Sequence, residues 1–473
     1  PTSEHTSYSD GTEVEKTFSY SYNTVPETGY HLGFLTDNSI TTTRDGMSYT
    51  ERMHIPSHSS RLPDTKIYYK DGNQVKREDY DYDSNGNPLA VSLQHYSSPH
   101  RHSTRYEYDA YGRTVKETDP MGHTCEFTYN PAGLLTKEKD HKGLVTTYYY
   151  DAMGRETGVV NPDGTRTDII YSWVASDDGA VYSITRKTTG QPEETFFYNA
   201  LNQEVRHSEK RFDGTVVNVD KIYDDVRGTL AAVSTPYIGA EPSFWDGYLY
   251  DSYGRLEYYQ SETRDSETDY VYEGNSVTII ENGKSVTKSY DLFGNLVSVK
   301  DTAGTVTYNL APDGLPVSVV APGNATTAFE YDKYRRRISM DDPSIGTTLY
   351  KYDEAGNTVE VTDANGLTTH HTYDRYNRLT RTECPEFATD YSYDADGNLT
   401  GVTTTNGTSK SFTYDIYGRL AASKERIAGG KWLQKDYTYS DGNVSSVKYT
   451  SQSGVLATEN YIYSNGHLSE IKL

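Results

Sequence analysis

Between Arg105 and Arg155 the chain repeats itself. Tyr108, Tyr129 and Tyr150 stand 21 residues apart, and each opens a five-residue box: YDAYG, YNPAG, YDAMG. A fixed period of 20 to 50 residues marks a repeat architecture, in which one unit cannot bury its own apolar face and neighbours must stack to do so. No other feature of the sequence constrains the fold as strongly.

Each period carries two turn signals, Tyr108-Asp109-Ala110-Tyr111-Gly112 and Asp119-Pro120-Met121-Gly122. Asp-x-x-Gly suits a type I turn: the carboxylate accepts backbone N–H groups at the first position, and glycine takes the left-handed conformation at the fourth. Between the turns, Thr124-Cys125-Glu126-Phe127-Thr128-Tyr129 alternates, with Cys125, Phe127 and Tyr129 on one face. That alternation is a half-buried strand, so one repeat is one β-hairpin.

Boxes open at Tyr82, Tyr108, Tyr129, Tyr150, Tyr198, Tyr223, Tyr250, Tyr290, Tyr331, Tyr352, Tyr373, Tyr393 and Tyr414, with weaker copies at Tyr171, Tyr272, Leu310, Tyr439 and Tyr463. Residues 1–60 read as degenerate repeats, with turns at Tyr8–Gly11 and Thr43–Gly46; residues 61–473 read as one continuous run of about 18 repeats. Two strands per repeat make on the order of 36 strands, and open twisted sheets rarely exceed about 10 without curling, so the sheet must coil on itself. Longer steps near Tyr171 and after Tyr414 are read as longer hairpin loops, at Trp173–Ala180 and Ile427–Lys431. Asn202 and Arg335 replace the box glycine; asparagine tolerates the left-handed region, whereas Arg335 is expected to be strained or to mark another turn.

Only 34% of residues are hydrophobic, and 46 of these are Tyr. A thin sheet whose amphipathic tyrosines carry the burial fits this composition better than a solid core. With 45 basic against 68 acidic residues, net −23, no basic stripe exists to displace counterions from nucleic acid. No run of about 18 apolar residues is present, which argues against a membrane-spanning helix. Cys125 and Cys384 are either ordinary small apolar residues or a single bridge, not a disulfide framework. A chain that opens at Pro1 without Met reads as processed or as part of something longer.

The extended box Tyr-Asp-x-x-Gly-Arg-Leu, as in Tyr250-Asp251-Ser252-Tyr253-Gly254-Arg255-Leu256 and Tyr414-Asp415-Ile416-Tyr417-Gly418-Arg419-Leu420, resembles the RHS/YD-repeat family over about residues 60–473. That family includes bacterial RHS polymorphic toxins, the B and C subunits of Tc toxins and the shell of teneurins. The resemblance implies a strip of β-hairpins spiralling into a hollow, cocoon-like shell, secreted or displayed on a bacterial surface. It implies partners that are other polypeptides: an enclosed C-terminal toxin or other cargo, further domains of the same protein, and secretion or surface machinery. Toxin-bearing members end in a pair of Asp-Pro-x-Gly protease motifs. Here Asp119-Pro120-Met121-Gly122 matches half of one, at an ordinary second turn in mid-chain.

The expected function is non-enzymatic, with no catalytic residue, cofactor or metal assigned. The residues singled out are structural: Tyr108, Asp109, Gly112 and Arg113; Tyr150, Asp151, Gly154 and Arg155; Tyr250, Asp251, Gly254 and Arg255; Tyr414, Asp415, Gly418 and Arg419. The arginines, with Arg378, are expected to stack on a neighbouring repeat's Tyr or pair with its Asp. Asp79–Gly86 and Asp394–Gly397 look like calcium loops, but the twelfth position counted from Asp81 is Ser92 and not the closing carboxylate such a loop needs. His95, His100 and His102 read as a polar hairpin loop, and the adjacent His370 and His371 face opposite sides of a strand. The alternative to a shell is a cell-surface adhesion or carbohydrate-binding scaffold that uses outward Tyr rows to hold glycans.

Overall fold

The structure, a computed structural model, describes residues 2–8, 11–24, 31–59, 62–174 and 179–473. Among these residues there is no helix, so none is long and apolar enough to cross a membrane. The described residues form 43 strands, of which 41 pair antiparallel in a meander, while His58–Ser59 and Leu62–Pro63 form a separate ribbon. Five strands precede residue 61, so 38 of the described strands lie in 61–473, against the roughly 36 expected there.

The box turns follow one rule, set by local hydrogen bonding. The Asp109 N–H donates to the Arg113 carbonyl at 3.0 Å and the Gly112 N–H to the Asp109 carbonyl at 3.0 Å. Gly112 has φ 79°, which glycine adopts without penalty. The ladder then skips one residue, pairing Glu107 with Lys116 but Tyr108 with Thr114. This is a type I turn closed by a bulge, a connection that matches strand twist. The second turn has the same bonds, Asp119 to His123 and Gly122 to Asp119.

One expectation is met and one needs correction. Arg335 keeps the box turn with a left-handed φ of 65°, the strained alternative and not another turn. Its guanidinium grips Asp313 of the preceding repeat in a fork, at 2.6 and 2.5 Å, which offsets the backbone cost. The longer steps after Tyr414 arise in the strands: Ile427–Lys431 is an ordinary five-residue turn, while Trp432–Ser440, Asn443–Ser451 and Gly454–Ser464 run 9, 9 and 11 residues. Part of Trp173–Ala180 and of Tyr8–Gly11 lies outside the described residues. Cys125 and Cys384 are free thiols, so there is no bridge.

The hydrophobic core is thin. Among described residues the buried apolar side chains are Val14, Tyr49, Ile55, Ala180, Val205, Tyr237, Ala311, Ala388 and Val447. The strand Thr124–Tyr129 shows why: Phe127 and Tyr129 are half-buried while Glu126 and Thr128 are exposed. The chain divides into two compact units, Pro1–Cys125 with Thr287–Tyr391, and Glu126–Val286 with Ser392–Leu473.

Candidate functional site

The box Asp anchors each turn. Asp109 Oδ1 accepts the N–H groups of Tyr111 and Arg113 at 2.9 and 3.0 Å, and Oδ2 accepts Arg113 Nε at 2.7 Å. Asp151 with Arg155, Asp251 with Arg255, Asp374 with Arg378 and Asp415 with Arg419 repeat the arrangement, each Nε lying 2.7 or 2.8 Å from Oδ2. Desolvation, the largest effect on these carboxyls, pushes them up; the arginine and the backbone N–H groups together hold them below the usual range. The arginine therefore pairs with the Asp of its own box. Where Asn follows the glycine, as at Asn87, Asn295, Asn357 and Asn398, its amide donates to the same Oδ2.

The box Tyr joins one repeat to the one before. Tyr108 Oη donates to the Pro88 carbonyl at 2.8 Å, Tyr352 to Arg337 at 2.7 Å, Tyr414 to Leu399 at 2.8 Å and Tyr439 to Leu420 at 2.9 Å. In each of these the acceptor lies six residues after the preceding box Tyr. The preceding arginine then covers the ring: Arg155 lies 4.3 Å from the Tyr171 centroid, Arg255 4.0 Å from Tyr272, Arg336 4.6 Å from Tyr352 and Arg419 4.4 Å from Tyr439. Arg113, Arg255, Arg378 and Arg419 also cover the tyrosines at their own turn tips, Tyr111, Tyr253, Tyr376 and Tyr417. Tyr150 and Tyr250 close their ladders opposite Glu156 and Leu256, and Gly154, Gly254 and Gly418 have φ 80–81°. Desolvation pushes the phenols of Tyr108, Tyr150, Tyr352 and Tyr439 up. Sequence reasoning misses the hydroxyl bond, though one signal points to it: 46 Tyr against 11 Phe. Packing alone would accept either ring.

Within each unit, a second kind of contact joins turns far apart in sequence. In the unit holding Glu126–Val286 and Ser392–Leu473, box turns of the later strip meet second turns of the earlier one. Asp396 receives His141 Nε2 at 2.8 Å and Lys142 Nζ at 2.6 Å; Asp163 receives Arg419 at 3.2 Å. Asn443 donates to the Gly190 carbonyl at 2.5 Å, and His467 Nε2 lies 3.0 Å from the Lys210 carbonyl. In the unit holding Pro1–Cys125 and Thr287–Tyr391, Arg44 pairs with Asp291 at 2.8 Å, Tyr334 packs edge-on against Tyr96 at 5.4 Å, and Phe293 packs on Tyr8 at 5.3 Å. The partners lie 247–257 residues apart in the hydrogen-bonded cases, about 12 repeats.

The loops that resemble calcium sites have their carboxylates engaged by donors: Asp83 by Asn85 and Asn87, Asp79 by Arg77 and Arg101, Asp394 by Asn398. His371 bonds Thr382, and exposed His370 lies 3.8 Å from Glu360. His95, its imidazole held low first by desolvation, closes the strand Pro88–His95 before the turn at Tyr96, whose φ is 47°.

Three segments, 129–166, 352–386 and 393–431, match the RHS Repeat family model. The fold is similar to that of two solved chains. One is from the Tc holotoxin pore of Photorhabdus luminescens carrying a mutant TccC3, at 11% identity and TM-score 0.54 over 96% of this chain; the other is from the TcdB2-TccC3-TEV structure, at 12% identity and TM-score 0.51 over 97%. The chain spans 27% of the length of each. No curated protein sequence matches it. The resemblance to RHS/YD-repeat proteins therefore stands, in sequence at three segments and in fold along nearly the whole strip. This is an all-β, RHS-shell-type fold.

Proposed function

We propose that the chain is wall material: part of an RHS shell, secreted or displayed on a bacterial surface, that encloses or presents another polypeptide, a C-terminal toxin among the cargoes. The observation that carries this reading is the seam. Within each unit, turns of one stretch of the strip bond to turns about 12 repeats away, so two stretches lie edge to edge as the courses of a wall would. The mechanism is physical exclusion: a sheet wall separates cargo from solvent and proteases, and its net charge of −23 makes it acidic. The test is protease protection of the downstream polypeptide in the full-length protein. Cargo that survives added protease until the strip is unfolded supports the reading; cargo digested equally fast with the strip intact sinks it.

A second reading, glycan binding, is favoured by one cleft. Trp173, 87% exposed, stands edge-on to Tyr182 at 6.4 Å beside a cleft of about 320 Å³ lined by Arg155, Tyr171, Ser172 and Ile184. Flat aromatic faces ringed by hydroxyls suit pyranose rings. Glycan-array binding lost in Trp173→Ala would establish it; an array with no signal above background removes it.

A further inference from the structure

The seam in the unit holding Glu126–Val286 and Ser392–Leu473 has a direction. Box turns of the later strip, at Asp396, Arg419, Asn443 and His467, sit on second turns of the earlier strip, at His141, Asp163, Gly190 and Lys210. Antiparallel meander topology puts all box turns of a strip on one edge and all second turns on the other. The unit therefore keeps one edge of each kind outside its own seam: the box edge of the earlier strip and the second-turn edge of the later one.

Both outer edges carry exposed apolar side chains, at the turn tips on the box edge and beside the turns on the second-turn edge. On the box edge, Met153, Leu201, Val226 and Tyr253 are 80, 73, 92 and 84% exposed. On the second-turn edge, Ile427, Val455 and Leu456 are exposed, and beside Ile427 a cleft of about 250 Å³ is lined by Glu425, Lys431, Trp432 and Leu433. Lys424 Nζ lies 3.9 Å from the Trp432 ring centroid at the cleft wall. Teeth on both edges recur every two strands, about 9.6 Å, so knobs and sockets share one spacing. The other unit shows that apolar tips can be seated in this way: there box tips Phe293 and Tyr334 pack on Tyr8 and Tyr96 of the earlier strip's second turns.

We propose that the box edge bearing Met153, Leu201, Val226 and Tyr253 docks a second copy of this chain, through the second-turn edge at Ile427, Trp432, Val455 and Leu456 of that copy. The contact repeats the internal seam between molecules. It is head-to-tail, so each copy keeps a free edge and assembly is open-ended. The proposal does not depend on whether the wall encloses cargo.

Sedimentation of the whole chain over a concentration series tests it, with M153D/Y253D altering the knobs and I427D/V455D the sockets, and melting temperature as the control for folding. Wild type should grow beyond dimer by about 100 μM, and each variant alone should associate at least about ten-fold more weakly. Mixed one to one, the two variants should give a dimer and stop there, because only one intact knob edge meets one intact socket edge. A wild-type chain that stays monomeric overturns the proposal, as does association unchanged in either variant. Vesicle pelleting by wild type but not by M153D/Y253D, without self-association, would assign the edge to a lipid surface and overturn it too.

Discussion

The two units solve one problem with different chemistry. In the unit of Pro1–Cys125 and Thr287–Tyr391, the seam is closed by rings and by a nearly dry ion pair, Arg44–Asp291, whose side chains are 13 and 5% exposed. In the unit of Glu126–Val286 and Ser392–Leu473 it is closed by half-exposed pairs such as Arg419–Asp163, at 27 and 18%, and by backbone carbonyls at Gly190, Lys210 and Phe212. The hairpin ladder is the same in both. What differs is how much water the seam excludes, and hence how it answers to salt and to the loss of one partner.

Asp291→Ala should give the largest effect. It strips Arg44 of its partner and Phe293 and Asn295 of their N–H acceptor, and breaking a buried pair costs about 3–5 kcal/mol. Hydrogen exchange should rise at residues 42–50 and 291–295 while 189–191 and 441–443 keep their protection; a rise of equal size in both places would break the comparison. Gly190→Ala is the reverse experiment. Gly190 has φ 74°, and a Cβ there would fall on the Asp441 carbonyl oxygen. Crowding and left-handed strain together should cost about 2–4 kcal/mol, with deprotection confined to 189–191 and 440–443.

Substitutions in the shared ladder should ignore the difference. Tyr352→Phe and Tyr414→Phe each remove one hydroxyl bond and should cost about 1 kcal/mol apiece in thermal or denaturant melts. Unequal losses would mean that the ladders differ as well as the seams. Raising salt from about 0.1 to 1 M should loosen only the half-exposed seam, by less than about 1 kcal/mol, measured as exchange at 396 and 419 against 44 and 291. Acid should act on both units alike. The box carboxyls of Asp374 and Asp415 lie below their unfolded value of about 3.9, so their stabilisation is complete above that pH and is lost as pH falls through the lowered folded values. Circular dichroism should stay flat down to about pH 4 and then fall.

The ladder is legible in sequence because its causes are local. Tyr-Asp-x-x-Gly carries its own acceptor, its own left-handed residue and its own alternating strands, so Tyr108–Arg113 announces its turn within six residues. The exchange of Arg113 for Asn87 in the slot after glycine is chemically simple too, since both place an N–H donor four residues beyond the Asp. Arg335 reads as strain from sequence because its compensation, Asp313, belongs to another repeat. The seams leave no trace in the period: Gly190 looks like any loop glycine until Asp441 arrives from 251 residues further on.

That separation makes the chain its own ruler. Arg419 and Asp163 stand 256 residues apart, Asn443 and Gly190 253, and His467 and Lys210 257. A single hairpin added or removed anywhere between Phe212 and Asp396, however well it folds, would move every later tooth by one notch, taking Asn443 away from Gly190 and Arg419 away from Asp163. Repeats of this kind can vary freely in residue content, while the count between mated teeth is held fixed by mechanics.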